Sequence, residues 1–365
     1  MRSASLRAAL PPWIAARLLV GAALLLDAIV RENGYEPSEP VGTTRHLGLL
    51  SWDAAWYLDI AQHGYGELPR EALRFFPVLP LLVRGVGAVI GSEEIALILI
   101  ANASALAFGV LLHRLVHQDL GDAALADRTV WLAALAPVAF VLAMGYAEAP
   151  AGAAMVASLW MARRGRWAGA AATGAIAGSL RPSGLFLVVP LALEAARGLR
   201  KAPAIERPWR LLAVAAPVLG AAPYALWVQG EYGDWRIIYR EQMVDGLRGD
   251  TRSPITSVAD AIGSIDTDLL LGLRGLWALV FLALILVSAR RLPASYTALA
   301  AVALVVATAA EHIGSLERYA YGAFPFVIAA STLTARPVVE RTVLLVSASA
   351  MTGYALLSFM DIYVP

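Results

Sequence analysis

Apolar residues run in long blocks separated by short polar breaks along almost the whole chain, from Trp13 to Met360. The blocks fall at roughly 13–30, 95–117, 129–146, 148–162, 167–180, 183–197, 209–228, 269–289, 294–310, 319–335 and 338–360. A crossing helix needs about 20 predominantly apolar residues, so the pattern predicts an all-α polytopic membrane protein with about eleven transmembrane helices, within a range of about 10–12. Two pairs of blocks read as tight hairpins, 129–162 broken at Gly145-Tyr146-Ala147-Glu148-Ala149-Pro150 and 167–197 broken at Arg181-Pro182-Ser183-Gly184, because Pro and Gly stop helices. Polar breaks at membrane depth line cavities.

A further apolar stretch, 76–90, holds Pro77, Pro80 and a central Arg84. A charge at a helix centre costs about 2.5–3.5 kcal/mol on insertion scales, so this stretch is expected to be interfacial or re-entrant. Two long outer loops are expected at 31–94 and 230–268 within a single integral membrane domain, 1–365; no fixed-period repeat is evident.

Composition sharpens the class. The chain is 59% hydrophobic and 16% charged, against about 45–50% and about 25% in soluble domains, which excludes a soluble enzyme, a secreted domain and a nucleic-acid binder. There is no Cys, so disulfides, iron–sulfur clusters and thiolate zinc sites are out. No G-x-x-x-x-G-K-[ST] motif is present. One Lys, Lys201, stands among 29 basic residues, and the heavy Ala usage has the look of a GC-rich genome; a bacterial plasma membrane is the expected location.

The net charge of +1 hides a sidedness. With eleven spans and the N-terminus inside, the loops holding Arg163 to Arg166, Arg197 to Arg210, Arg290-Arg291 and Arg336 to Arg341 all become cytoplasmic, as the positive-inside rule requires. The inner side then carries 16 basic and 6 acidic residues, the outer side 11 and 21. Cysteines at Ser38, Ser257 and Ser295 are the labelling sites this topology suggests, the first two reachable from outside.

Chemistry concentrates in Ser51-Trp52-Asp53-Ala54-Ala55-Trp56-Tyr57-Leu58-Asp59-Ile60-Ala61-Gln62-His63-Gly64-Tyr65. It reads as a short helix ended by Gly64, with Asp53, Trp56, Tyr57 and Ile60 on one face and Trp52, Ala55, Asp59 and His63 on another. Asp53 and Asp59 lie about 120° apart on such a helix and do not form a pair. Two readings stay open: an interfacial helix whose aromatic rings sit among headgroups, or a carboxylate at the membrane surface acting as general base. His113 and His117, spaced i, i+4 without an intervening Glu, make a poor metal motif, and His312 beside Glu311 is isolated. Arg17 and Asp27 fall inside the first block, where charges are functional hypotheses or snorkel to the ends.

The run Trp52-Asp53-x-x-Trp56-Tyr57-x-x-Ile60-Ala61-x-His63-Gly64-Tyr65 is followed by Phe75-Phe76-Pro77-x-x-Pro80-Leu81, Ala136-Pro137, Gly145-Tyr146-x-Glu148 and Arg181-x-Ser183-Gly184-Leu185. In order and spacing, over residues 50–190, this resembles the PIG-V-type GPI mannosyltransferase II family and its bacterial relatives, within the type-C glycosyltransferase superfamily. Arg318-Tyr319 with Phe324-Pro325 resembles a weaker late motif. The resemblance implies a type-C architecture with interfacial helices in the first outer loop. It also implies an inverting enzyme that takes mannose from a polyprenyl-phosphate-mannose donor to a lipid-linked or glycolipid acceptor on the extracytoplasmic face.

Asp53 is then the catalytic base, and Trp52, Trp56, Tyr57, His63, Tyr65, Glu148, Arg181, Arg318 and Tyr319 are candidates for substrate or donor binding, the arginines meeting the leaving phosphate. No metal and no other cofactor is expected, since the outer side offers no carboxylate or His cluster of the kind a hard cation prefers. Two other classes fit the spans: a transporter or flippase for a lipid or amphiphile, which leaves the aromatic-flanked Asp53 without a purpose, and a non-catalytic partner subunit on the same scaffold.

Overall fold

The structure is a computed structural model and describes residues 2–35 and 48–363, with only the backbone of Arg2. Among the described residues there is no strand. In chain order the helices are α1 (Arg2–Glu32), α2 (Asp53–His63), α3 (Val78–Ile90), α4 (Glu93–Leu120), α5 (Ala123–Leu135), α6 (Glu148–Arg163), α7 (Trp167–Leu180), α8 (Val188–Ala196) and α9 (Glu206–Tyr232). They continue as α10 (Ile237–Arg240), α11 (Pro254–Gly263), α12 (Leu269–Arg291), α13 (Ala294–Thr308), α14 (Leu316–Tyr321), α15 (Pro325–Ser331) and α16 (Pro337–Phe359).

The starts of α4, α5 and α12 are capped by residue types that satisfy orphan backbone donors. Ser92 accepts from the Ile95 N–H at 3.2 Å, Asp122 from Leu125 at 2.8 Å and Asp268 from Leu271 at 2.9 Å.

The chain is an all-α integral membrane protein. Among the described residues five helices, α1, α4, α9, α12 and α16, are by themselves long and apolar enough to cross a membrane. Other apolar blocks fold as shorter pieces. Block 129–146 ends its helix at Leu135 and adds a 3₁₀ turn, Ala139–Leu142; block 319–335 becomes α14 and α15, interrupted around Gly322 and ahead of Pro325. At about 1.5 Å per residue, the 13 residues of α3 reach about 20 Å, short of the roughly 30 Å core. In the other direction, α1 extends back to Arg2 through Pro11 and Pro12. Proline φ is already helical, but each interior proline removes a ladder donor and crowds the carbonyl four residues back.

Two compact units emerge from the packing: Met1–Gly64 with Leu79–Ala153 and Ala330–Pro365, and Tyr65–Val78 with Ala154–Ala329. In the first, α1 packs on α16, α4 and α5. A polar knot sits within it. Arg17 donates to Asn102 Oδ1 at 2.8 Å and the Leu142 carbonyl at 2.9 Å, and its guanidinium stacks on Trp13 at 4.6 Å. Arg17 therefore does not snorkel; it ties α1 and α4 to the Ala139–Leu142 turn. Nearby in sequence, His113 contacts Ser5 Oγ at 3.1 Å and Asp127 Oδ1 at 3.0 Å, joining α4 to α1 and α5.

The last carbonyls of α16, orphaned at a helix end, accept from side chains of the same unit: Ser358 from the Trp52 indole at 3.0 Å, Phe359 from Arg31, and Met360 from the Tyr35 hydroxyl at 3.0 Å. Helices α1 and α16 thus end on one face of the unit and run parallel.

In the second unit α7 and α9 touch backbone to backbone. A Cβ on Gly178 would lie 1.9 Å from the Pro217 carbonyl oxygen, and one on Gly220 1.9 Å from that of Ala175. Small residues permit such approach. Elsewhere in this unit the buried Glu194 of α8 binds Arg163 at 2.7 Å, Arg197 at 3.4 Å and the Ser295 hydroxyl.

Candidate active site

In the first unit the motif around Asp53 is built on a strained turn. The Ala54 N–H donates to the Ser51 carbonyl at 3.2 Å, closing a four-residue turn. Its first central residue, Trp52, has φ 58° and ψ −126°, close to the first central position of a type II′ turn, which glycine normally fills. A side chain held there costs roughly 1–3 kcal/mol and persists where its surroundings over-determine it. Here the surroundings are the buried indole, 7% exposed, and its bond to Ser358.

The turn delivers Asp53 into the first turn of α2, where the helix dipole favours a carboxylate. Its own orphan N–H donates to the Tyr146 hydroxyl at 3.3 Å, and the Gly145 N–H donates to the Leu49 carbonyl at 3.0 Å. Gly145 is required by closeness: a Cβ there would sit 2.7 Å from the Leu97 side chain and 3.1 Å from Ala54 Cβ. Motifs more than ninety residues apart thus meet. Glu148 opens α6 two residues beyond Tyr146 and is 8% exposed.

Ala54, Ala55, Tyr57, Leu58, Ile60 and Ala61 of α2 are buried in protein, so Trp52 and Tyr57 face protein and not headgroups. Half-buried Asp53, Trp56, Asp59 and Gln62 and the exposed His63 make up the remaining side, spread over about 180° at about 100° per residue. That is a different partition from the one the sequence suggests, in which Tyr57 and Ile60 share Asp53's face. His63 is exposed, and its Nδ1 lies 3.2 Å from the Asp59 carbonyl. Gly64 (φ 78°) ends the helix. Arg84 of α3 donates to the Ala61 carbonyl at 2.8 Å and the Gln62 carbonyl at 3.1 Å. The central charge of that short helix is spent on another helix's C-terminus.

The remaining candidates lie in the second unit. The Tyr65 hydroxyl donates to the Phe75 carbonyl at 2.6 Å, and its ring packs on Tyr224 and Trp227 with centroids 5.5 and 5.2 Å away. Phe76 joins Tyr224 at 5.2 Å. Half-buried Arg181 sits at the corner between α7 and the 3₁₀ turn Pro182–Leu187. Gly184 in that turn lies where a Cβ would be 2.1 Å from the Ala177 carbonyl.

Arg318 is 4% exposed, and its guanidinium lies over the Tyr319 ring at 5.2 Å. The preceding Glu317, 3% exposed, is 3.7 Å from Arg274. Arg248, which no motif marks, stacks on the same Tyr319 ring at 5.4 Å. Among the described residues no group of three or more His, Asp or Glu is placed to hold a metal ion.

The chain matches no family model. It is 32% identical over 177 residues to the GPI alpha-1,6-mannosyltransferase 2 of Mus musculus, covering 45% of this chain and 35% of that protein. Against the same enzyme of Rattus norvegicus it is 32% identical over 163 residues, 41% of this chain and 32% of the other. The alignments therefore span about a third of the length of these curated relatives. Among solved structures, that of ArnT from Cupriavidus metallidurans bound to undecaprenyl phosphate covers 94% of this chain and 76% of its own, with TM-score 0.55 at 13% identity. The fold is that of the type-C glycosyltransferases, and part of the chain is homologous to a GPI mannosyltransferase.

Proposed function

We propose that this chain, type-C in fold and related over part of its length to a GPI mannosyltransferase, is an inverting glycosyltransferase that moves mannose from a polyprenyl-phosphate donor to a hydroxyl of a lipid-linked acceptor. The observation that carries the reading is the convergence of the Trp52-Asp53 and Gly145-Tyr146 motifs, which sets Asp53 at the start of a helix buried on its other side. An acceptor hydroxyl is a weak nucleophile near neutral pH. Asp53 takes its proton as the oxygen attacks the anomeric carbon. The new C–O bond forms opposite the breaking bond to the donor phosphate, which departs as polyprenyl phosphate with an added negative charge. Fixed cationic donors stabilise that charge more in the transition state than in the ground state, and the sequence resemblance gives this part to Arg181 and Arg318.

The reaction takes place on the extracytoplasmic face of a bacterial plasma membrane, the side that the charge distribution gives to Asp53, and needs no divalent metal because arginine supplies the positive field. The test is transfer from a polyprenyl-phosphate-mannose to glycolipid by purified protein. Asp53→Asn keeps the shape and removes the proton affinity, so turnover should fall by about 10²–10⁴ while the fold survives. More than a tenth of wild-type turnover would remove Asp53 as base. Activity should also persist in EDTA; loss there with rescue by Mg²⁺ or Mn²⁺ would contradict the metal-free mechanism.

A further inference from the structure

The environment of Arg248 is unusual for a cation in a connecting segment. Its stretch is fixed: the Glu311 N–H donates to the Asp250 carbonyl at 2.8 Å and the His312 N–H to the Arg248 carbonyl at 2.9 Å. Gly249 (φ 61°) leaves no room for a side chain, because a Cβ would fall 2.6 Å from Glu311 Oε2. The guanidinium Nη2 donates to the Val306 and Ala307 carbonyls at 2.7 and 2.9 Å, near the C-terminal end of α13, while the buried Nε has no acceptor. No carboxylate lies within ion-pairing distance of Arg248 among the described residues. Glu311 turns Oε2 toward the Asp250 N–H at 3.4 Å, and Glu317 faces Arg274.

The Tyr319 ring carries a second cation, the almost fully buried Arg318. Burial lowers the Arg248 pKa, the direction expected of a charge whose environment does not neutralise it. Two guanidiniums gathered on one ring, one of them with an unspent buried donor, are complementary to a phosphate, which guanidinium N–H groups bind well.

We infer that Arg248 and Arg318, stacked on Tyr319, form an anion site for the phosphate of a polyprenyl phosphate, with Arg248 a binding residue supplied by the segment between α10 and α11. This rests on the glycosyltransferase reading for the identity of the lipid. The site itself rests on the contacts around Tyr319.

Native mass spectrometry of the full chain in detergent tests it, with undecaprenyl phosphate, undecaprenol, phosphatidylglycerol and inorganic phosphate as probes. The wild type should bind undecaprenyl phosphate at least tenfold more tightly than undecaprenol or phosphatidylglycerol. Arg248→Gln should lose at least tenfold for undecaprenyl phosphate and nothing for undecaprenol. Should that variant fail to fold, because the α13 carbonyls lose their donor, Arg248→Lys carries the test: it keeps a cation but not the planar guanidinium, and should lose at least threefold. Wild-type affinity in a folded Arg248 variant overturns the inference. Equal affinity of the wild type for phosphate and alcohol lipids overturns instead the choice of donor class. Inorganic phosphate or phosphatidylglycerol binding as tightly as undecaprenyl phosphate overturns the lipid-phosphate assignment.

Discussion

Tyr146 holds the N–H of Asp53 through its hydroxyl, and Trp52 holds the turn before it at a φ that side chains rarely adopt. Both residues fix the backbone at Asp53. Removing the hydroxyl in Tyr146→Phe leaves the ring, which is 0% exposed, in place. It strips the acceptor from one partly buried donor, a change worth about 0.5–1.5 kcal/mol of stability. The expected signature is a lower kcat, by roughly threefold to tenfold for the same energy, with little change in donor KM; an unchanged kcat would show that the phenol does not position Asp53. The motif marked Tyr146, but its partner lies 93 positions away along the chain, a distance at which no local pattern carries information. Arg248 was illegible for a related reason, since its significance comes from a ring and two carbonyls supplied by other elements.

The α7–α9 crossing shows what an element's sequence leaves unsaid. Both helices are apolar nearly all round, as lipid-facing helices are, so periodicity does not distinguish the face toward lipid from the face toward protein. Gly178 and Gly220 mark the contact only once the neighbouring backbone is in view. Gly178→Ala sets a methyl against the Pro217 carbonyl, which is backbone and cannot rotate away. Overpacking of this kind costs about 1–3 kcal/mol and occasionally more, and should lower the apparent melting temperature in detergent by several degrees. Gly230→Ala in α9, where nothing lies within 4 Å, is the control and should not lower it; equal melting of the two variants would mean that the crossing is looser than described. Hydropathy also overran real stop signals at this scale. The block 319–335 contains Gly322 and Pro325, and the chain breaks there.

At the scale of the whole molecule, the charge asymmetry predicts an odd number of crossings, and the parallel ends of α1 and α16 agree with an odd number if both cross. Sidedness is open to direct labelling because the chain has no native Cys. The positions suggested by sequence are poor probes: Ser257 and Ser295 are 2% and 0% exposed, and Ser38 lies outside the described residues. Exposed alternatives are Ser253, ahead of α11, and Ala294, beside Arg290-Arg291. A membrane-impermeant thiol reagent should label Ser253→Cys in intact cells and Ala294→Cys only after permeabilisation. Labelling of Ala294→Cys from outside would reverse the assignment of faces.

Composition and hydropathy by themselves determined the class, an all-α membrane protein, because the bilayer demands long apolar runs whatever their neighbours are. The spacing of Trp52, Asp53, Gly145 and Arg181 was enough to point to the glycosyltransferase relatives. Only the tertiary structure decided which of these residues are half-buried and which are walled in: Asp53 and Trp56 on the half-buried side of α2, Trp52 and Tyr57 inside the protein. Exposure is a property of what packs against a residue, and the packing partners of α2 come from chain segments that no local pattern connects to it.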